Sequence, residues 1–247
     1  MKEGIKSRKD LIRLHNLNFL YLDCEYLLNG RKISHKTELF TIQYAIFTME
    51  DLRKRTKPKL TILCRWDYNN QESELLKQFN SIWKRITLGL GHVKKIVPIG
   101  YVIGTDLELL RYKYAQNGYS VPLSIDLLVT SRMIDLKNYA IAETGLIDPQ
   151  LVTYMAFIDP SKSNLNPVNM RFLLEGIKNS KNEVGIEKAK TKAINYIKAE
   201  FDENFTVIEH LFNRPYKFSP ESEEARAIDR QLKIFLEKVV PTKFSKK

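Results

Sequence analysis

Two carboxylates, Asp23 and Glu25, lie inside an apolar run that is suited to a buried strand. Residues two apart on a strand point to the same side of the sheet, so the two acids are neighbours. Adjacent carboxylates in apolar surroundings repel each other and lose hydration, and therefore need a compensating cation. Because carboxylate oxygens suit Mg²⁺ and Mn²⁺, the spacing predicts a divalent-metal site. The alternative is that both acids lie at the end of a strand and face water.

Two further acids occur at positions that could complete such a site. Asp106 follows an apolar strand and the turn Gly104-Thr105, where it would otherwise serve a helix by complementing its dipole. Asp202 lies within a long helical pattern, where a single acid is usually a solvated surface charge. The order of these acids along the chain predicts that a strand, a strand–helix junction and a late helix converge at one edge of a sheet.

The elements that must position these acids follow from hydrophobic periodicity and turn signals. Strands are predicted at 19–27, 39–49, 60–66, 96–103 and 124–129, and helices at 72–86, 107–116, 132–143, 169–177, 186–212 and 223–240. The first three strands indicate an antiparallel meander, and Thr105 is the candidate N-cap of its helix. The pattern predicts one α/β domain over 1–247, with a core at about 17–213, followed by a C-terminal helix and a basic tail.

Four of these segments resemble motifs of the DEDD 3′–5′ exonuclease superfamily. The apolar run 19–25 is similar to its first motif, 99–110 to its second, 124–128 to an Asp-containing strand, and 196–211 to its third motif helix. The resemblance implies a ribonuclease H-like fold, in which helices flank a mixed five-stranded sheet. It also implies that Asp23, Glu25, Asp106 and Asp202 bind two Mg²⁺ or Mn²⁺ ions.

The third motif departs from the family pattern, which places His five residues or Tyr four residues before the last Asp. Those positions hold Ile197 and Lys198 here, whereas Tyr196 lies four residues before Glu200. Either Asp202 is the ligand beside an unusual general base, or Glu200 replaces it with Tyr196 as its partner.

Glu203 is a further candidate for the last acid. Asp202 is preferred because its spacing to Thr206 is common in that family helix. The second motif also lacks the usual His-Asn before Asp106. Together the two departures leave open a weakened or lost activity.

If the four acids converge, two ions about 4 Å apart would bridge a scissile phosphate, and Tyr196 or Lys198 could orient the attacking water. The substrate is expected to be single-stranded nucleic acid, with DNA favoured. Aromatic residues near the acids could stack on its bases, and basic residues could follow its backbone. The candidates for these contacts are Tyr26, Tyr101, Arg111, Lys113 and Lys198.

Composition limits the class of protein. The formal net charge of +11 favours a polyanionic partner. The two cysteines, Cys24 and Cys64, form neither a disulfide framework nor a zinc pattern, which favours a reducing, cytoplasmic setting. No apolar run approaches the roughly 18 residues of a membrane span, and the sequence leaves the oligomeric state open.

Three other functions fit the same features. One is a non-catalytic nucleic-acid-binding module on this fold, which the altered third motif supports. Another is an interaction protein whose acids are surface charges. The last is a ribonuclease H-like endonuclease, which would cleave a circular substrate.

Overall fold

The computed structural model describes residues 18–89, 96–119, 133–159, 161 and 169–213. Five strands form one mixed sheet: β1 (Asn18–Leu27), β2 (Glu38–Thr48), β3 (Thr61–Cys64), β4 (Ile96–Gly100) and β5 (Ile134–Asp135). Their spatial order is β3-β2-β1-β4-β5. The first three strands pair antiparallel, as predicted, whereas β1–β4 and β4–β5 pair parallel. The predicted α/β architecture with a mixed five-stranded sheet is therefore confirmed.

Seven α-helices of the described residues surround this sheet. They are α1 (Met49–Lys54), α2 (Glu72–Gly89), α3 (Ile103–Gln116), α4 (Leu136–Thr144), α5 (Leu151–Ile158), α6 (Met170–Asn179) and α7 (Glu183–Asn213). A 3-10 turn, Arg65–Tyr68, precedes α2. In the described part of the chain, no helix has the length and apolar character needed to cross a membrane.

Side-chain alternation on the central strand β1 divides the core into two layers. Phe19 and Tyr21 pack with residues of α4, α5 and α7 on one face of the sheet. Leu20 and Leu22 pack with α2 and α3 on the other face. Both faces of β1 are covered, which explains its nearly continuous apolar sequence. Asp23 and Glu25 continue the series of Phe19 and Tyr21, so they point toward the layer that contains α7.

The junction between β4 and α3 differs from the prediction. The strand ends at Gly100 rather than at residue 103, and Val102, not Thr105, is the N-cap residue of α3. Val102 adopts left-handed backbone angles of φ 59° and ψ 28°. This conformation costs an L-residue about 1–2 kcal/mol, and a branched Cβ makes it rarer still.

Two predicted elements lie outside the described residues. These are the strand at 124–129, which includes the Asp-containing segment 124–128, and the C-terminal helix at 223–240. The fifth strand of the described sheet is instead β5, at Ile134–Asp135.

Candidate metal centre

Three carboxylates from β1 and α7 converge beyond the end of the apolar core. Each of Asp23, Glu25 and Glu200 offers an oxygen within 4.8 Å of the oxygens of the other two. The register of β1 and β2 shifts between Glu25 and Tyr26, directly after the second acid. Such an irregularity bends a strand and re-aims its side chains. The two acids of β1, Asp23 and Glu25, thus meet an acid from the late helix, as expected. That acid is Glu200 and not Asp202.

Asp106 lies on a neighbouring wall of the site. It occupies the first turn of α3, is 5% exposed, and is hydrogen-bonded by the backbone amide of Cys24. Asp106, Asp23 and Glu25 all line one cavity of about 250 Å³. The three predicted ligands Asp23, Glu25 and Asp106 are therefore brought together, although Asp106 is not within the 4.8 Å group.

The electrostatics of the cluster favour a bound cation. The pKa values of Glu25 and Asp106 are both raised well above their ordinary values. The larger cause is burial, and the second is the charge of neighbouring carboxylates. The same causes, in the same order, raise the pKa of Glu200 to about 8. Burial also raises the pKa of Asp23, against hydrogen bonds that stabilise its charged form. Burial and mutual repulsion disfavour the charged forms of these four acids, and a divalent cation bound among them would stabilise those charged forms.

Hydrogen bonds from the sheet orient Asp23. The Gln43 amide nitrogen donates to the Asp23 carboxylate at 2.7 Å, and the Thr41 hydroxyl donates to the Gln43 amide oxygen at 3.0 Å. The buried Tyr21 hydroxyl is also hydrogen-bonded to Asp23. Partners of this kind fix a metal ligand in one orientation. Sequence reasoning missed all three, although Thr41 and Gln43 interrupt an apolar strand on its buried face.

The Tyr196 hydroxyl is hydrogen-bonded to the Glu200 carboxylate, one helical turn away. Burial, followed by the charges of Glu200, Glu25 and Asp23, raises the pKa of Tyr196 well above its ordinary value. Glu203 also lies close enough to raise the pKa of Glu200. The second arrangement expected from the sequence, with Glu200 as the acid and Tyr196 as its partner, is therefore the one that the structure places at the cluster.

Asp202 does not join the cluster, and its assignment as a ligand is corrected. Its side chain is 56% exposed and forms an ion pair with Lys57. Two residues along an α-helix correspond to a rotation of about 200°, so Asp202 and Glu200 face opposite sides of α7. Glu200 faces β1, whereas Asp202 faces solvent.

The predicted nucleic-acid contacts have different outcomes. Tyr26 and Tyr101 are partly exposed and line the 250 Å³ cavity. Arg111 and Lys198 are exposed on α3 and α7. Lys113 is only 2% exposed and forms an ion pair of 3.1 Å with Glu72, so its assignment as a surface contact is wrong.

A larger groove of about 1020 Å³ adjoins the cavity. Tyr101 and Val102 line both spaces, and Glu200 and Tyr196 line the groove. Its other lining residues include Lys137, Asn169, Phe172, Lys192 and Asn195. Phe172 on α6 is 71% exposed, an unusual position for a large aromatic side chain. Glu200 therefore faces a groove that carries both aromatic and basic groups, and this groove adjoins the cavity lined by the other three acids.

No protein-family model matches this chain, and the search of curated proteins also finds no match.

Proposed function

We propose that this protein is a metal-dependent 3′–5′ exonuclease that hydrolyses single-stranded nucleic acid, with DNA favoured, on a ribonuclease H-like fold. The convergence of Asp23, Glu25 and Glu200 within 4.8 Å, beside Asp106, carries the proposal. The sheet order β3-β2-β1-β4-β5, with only β2 antiparallel to its neighbours, is compatible with that fold. The 3′–5′ direction comes from the resemblance of the motifs to the DEDD exonucleases.

The donor set fits Mg²⁺ or Mn²⁺. All four candidate ligands are carboxylates, which hard divalent cations prefer. The side chain of Cys24, which lies between two of them in sequence, packs in the core on the other face of the sheet. We assign the ligands as Asp23, Glu25, Asp106 and Glu200. Two divalent ions bound there would generate a nucleophilic water at neutral pH and offset the charge of the phosphate.

The protein groups around this site have separate tasks. Gln43 and Tyr21 hold the carboxylate of Asp23, and Tyr196 holds that of Glu200. The Tyr196 hydroxyl, held at the groove wall, also serves to orient the attacking water. Lys198 is exposed on α7 and is a weaker candidate for that role, since it lines neither space.

The groove suits an unpaired strand. Its volume of about 1020 Å³ reaches the upper end of the range of about 300–1,000 Å³ that is typical of ligand pockets. An exposed aromatic side chain such as Phe172 stacks on any base, and this contact requires the base to be unpaired. Lys192 and Asn195 lie on the same wall as Glu200 and can contact phosphate oxygens.

The test uses 5′-labelled single-stranded DNA and its RNA counterpart, each with Mg²⁺, with Mn²⁺ and with EDTA. We expect a metal-dependent ladder that shortens from the 3′ end and is absent for Asp23→Ala. A circular single strand should remain intact, because an exonuclease needs an end; its cleavage would indicate an endonuclease. Substrate that is bound but never cleaved would overturn the proposal in favour of a non-catalytic binding module.

A further inference from the structure

The turn that joins β4 to α3 contains a backbone conformation that needs external support. Val102 has a φ of 59°, in the left-handed region that β-branched residues avoid. Such conformations persist where the surrounding structure holds them, and they cluster at functional sites. The groups that hold this turn determine where α3 begins, and therefore where Asp106 in its first turn is placed.

One carboxylate supports this turn from the neighbouring strand. Asp135 Oδ1 accepts hydrogen bonds from the backbone amides of Val102 and Lys137, both at 3.0 Å. The amide of Gly104 is also hydrogen-bonded to this carboxylate. Asp135 ends β5, where it is paired with Gly100 of β4, and it is the N-cap residue of α4. A single side chain thus ties together the end of β5, the entry to α3 and the start of α4.

The position of this turn determines how Asp106 is placed relative to β1. Upstream of it, β4 is in close contact with β1, since a Cβ on Gly100 would lie only 2.8 Å from the backbone oxygen of Leu22. Downstream of it, Asp106 follows Gly104 by two residues and reaches the backbone amide of Cys24. Because β4 is packed closely against β1 on one side of the turn and Asp106 lies on the other, a shift of the turn would move Asp106 relative to Asp23.

We propose that Asp135 is a positioning residue, which holds the left-handed turn at Val102 so that Asp106 faces the other acids across the cavity. The inference rests on the proposed function only for its effect on catalysis. Asp135 is not assigned as a metal ligand, because Oδ1 is already occupied by two amides and the carboxylate bonds a third. Its role depends on an acceptor oxygen at this position rather than on its charge.

The experiment compares Asp135→Ala, Asp135→Asn and Asp135→Ser with the wild-type protein. Asn keeps an acceptor oxygen and loses the charge, whereas Ser can still cap α4 but is too short to hold Val102. The control is Asp51→Ala, which removes the capping box of α1, a helix that carries none of the four acids. Hydrogen exchange of the backbone amides at 101–106, kcat and KM are measured for each variant.

We expect D135A and D135S to speed exchange at 101–106 and to lower kcat by at least about tenfold, as for a lost outer-shell partner, with KM within about twofold. D135N should restore both quantities to near wild-type values, and D51A should change neither. Should D135A fail to fold, D135S carries the comparison.

Wild-type exchange at 101–106 in D135A or D135S, or a D135N variant as defective as D135S, would overturn the proposal. If the wild-type protein hydrolyses no nucleic acid, the proposed function fails. The exchange measurements still decide whether Asp135 holds the turn.

Discussion

The Tyr196 hydroxyl bonds the carboxylate of Glu200, four residues later on the same face of α7. This contact identifies which acid of the segment Glu200–Glu203 belongs to the site. On an adjoining side of α7, Phe201 and Phe205 pack on the sheet, and Phe201 meets the ring of Tyr21 at 4.9 Å between centroids. The rotation of the helix that buries these aromatics places Glu200 beside Asp23.

The first prediction separates Glu200 from Asp202. Glu200→Gln and Asp202→Asn each remove one charge while keeping the shape of the side chain. We expect E200Q to lower kcat by more than about 100-fold, beyond the range for loss of an outer-shell partner. D202N should stay within about twofold, because an exposed ion pair contributes little. Steady-state hydrolysis of a labelled single strand measures both, and the opposite order would restore Asp202 as the ligand.

The second prediction concerns the hydroxyl of Tyr196. Tyr196→Phe keeps the ring but removes the hydrogen bond to Glu200, so we expect kcat to fall by about 10- to 100-fold. KM should change by less than about twofold, because the ring still lines the groove. Tyr154→Phe is the matched control, since its hydroxyl bonds Glu143 at 2.7 Å outside the site. Equal losses of kcat in the two variants would show that the effect is not specific to Tyr196.

The third prediction is a pH dependence of stability in the absence of metal. Glu200 has a pKa of about 8 in the folded protein against an ordinary value of 4.5, so between these values the folded state binds more protons. The free energy of unfolding should therefore fall as pH rises from about 4.5 to about 8. The raised pKa values of Glu25 and Asp106 act in the same direction.

A divalent metal should reverse this trend, because it binds the deprotonated acids. Thermal unfolding in EDTA and in MnCl₂ across this pH range measures both effects, and the Tm increase caused by Mn²⁺ should grow with pH. E200Q should show a shallower pH dependence in EDTA than the wild-type protein. Stability that rises with pH throughout the range in EDTA would contradict the electrostatic description of the cluster.

The residues that sequence predicted well are those whose environment is local. Asp23 and Glu25 interrupt an apolar strand at alternate positions, so their shared face follows from strand geometry alone. Asp106 follows from the strand–helix junction, even though the helix begins earlier than predicted. The antiparallel order of the first three strands followed in the same way from periodicity and turn signals, whereas the mixed five-stranded sheet was implied by the resemblance to the DEDD exonucleases.

The residues that sequence misplaced depend on packing between distant elements. The acids of α7 differ in their outcome because the packing of Phe201 on Tyr21 of β1, a contact between distant elements, helps to set the rotation of the helix. Lys113 has the sequence pattern of a surface cation, but in the structure it is buried and paired with Glu72, which lies at the start of another helix. The contacts of Asp135 with the turn at Val102 likewise join residues 33 positions apart.

The fourth prediction tests the groove as the route of the substrate. Phe172→Ala removes the exposed ring on α6, and we expect KM for single-stranded DNA to rise by about 5- to 150-fold, since stacking contributes about 1–3 kcal/mol per base. Phe157→Ala is the matched control, because that ring is 51% exposed on α5 but does not line the groove. It should leave KM within about twofold.

A comparison of Phe172→Ala with Lys192→Gln separates base stacking from charge. If Phe172 stacks on a base, F172A weakens binding by the same factor at low and high salt, because no phosphate contact is lost. Lys192→Gln should instead reduce the salt dependence of binding, because each phosphate contact contributes about 0.7 to the slope for a single strand. Equal losses in F172A and F157A would show that an exposed aromatic ring on this side of the molecule has no special relation to the strand. The groove would then not be the path by which the 3′ end reaches Glu200.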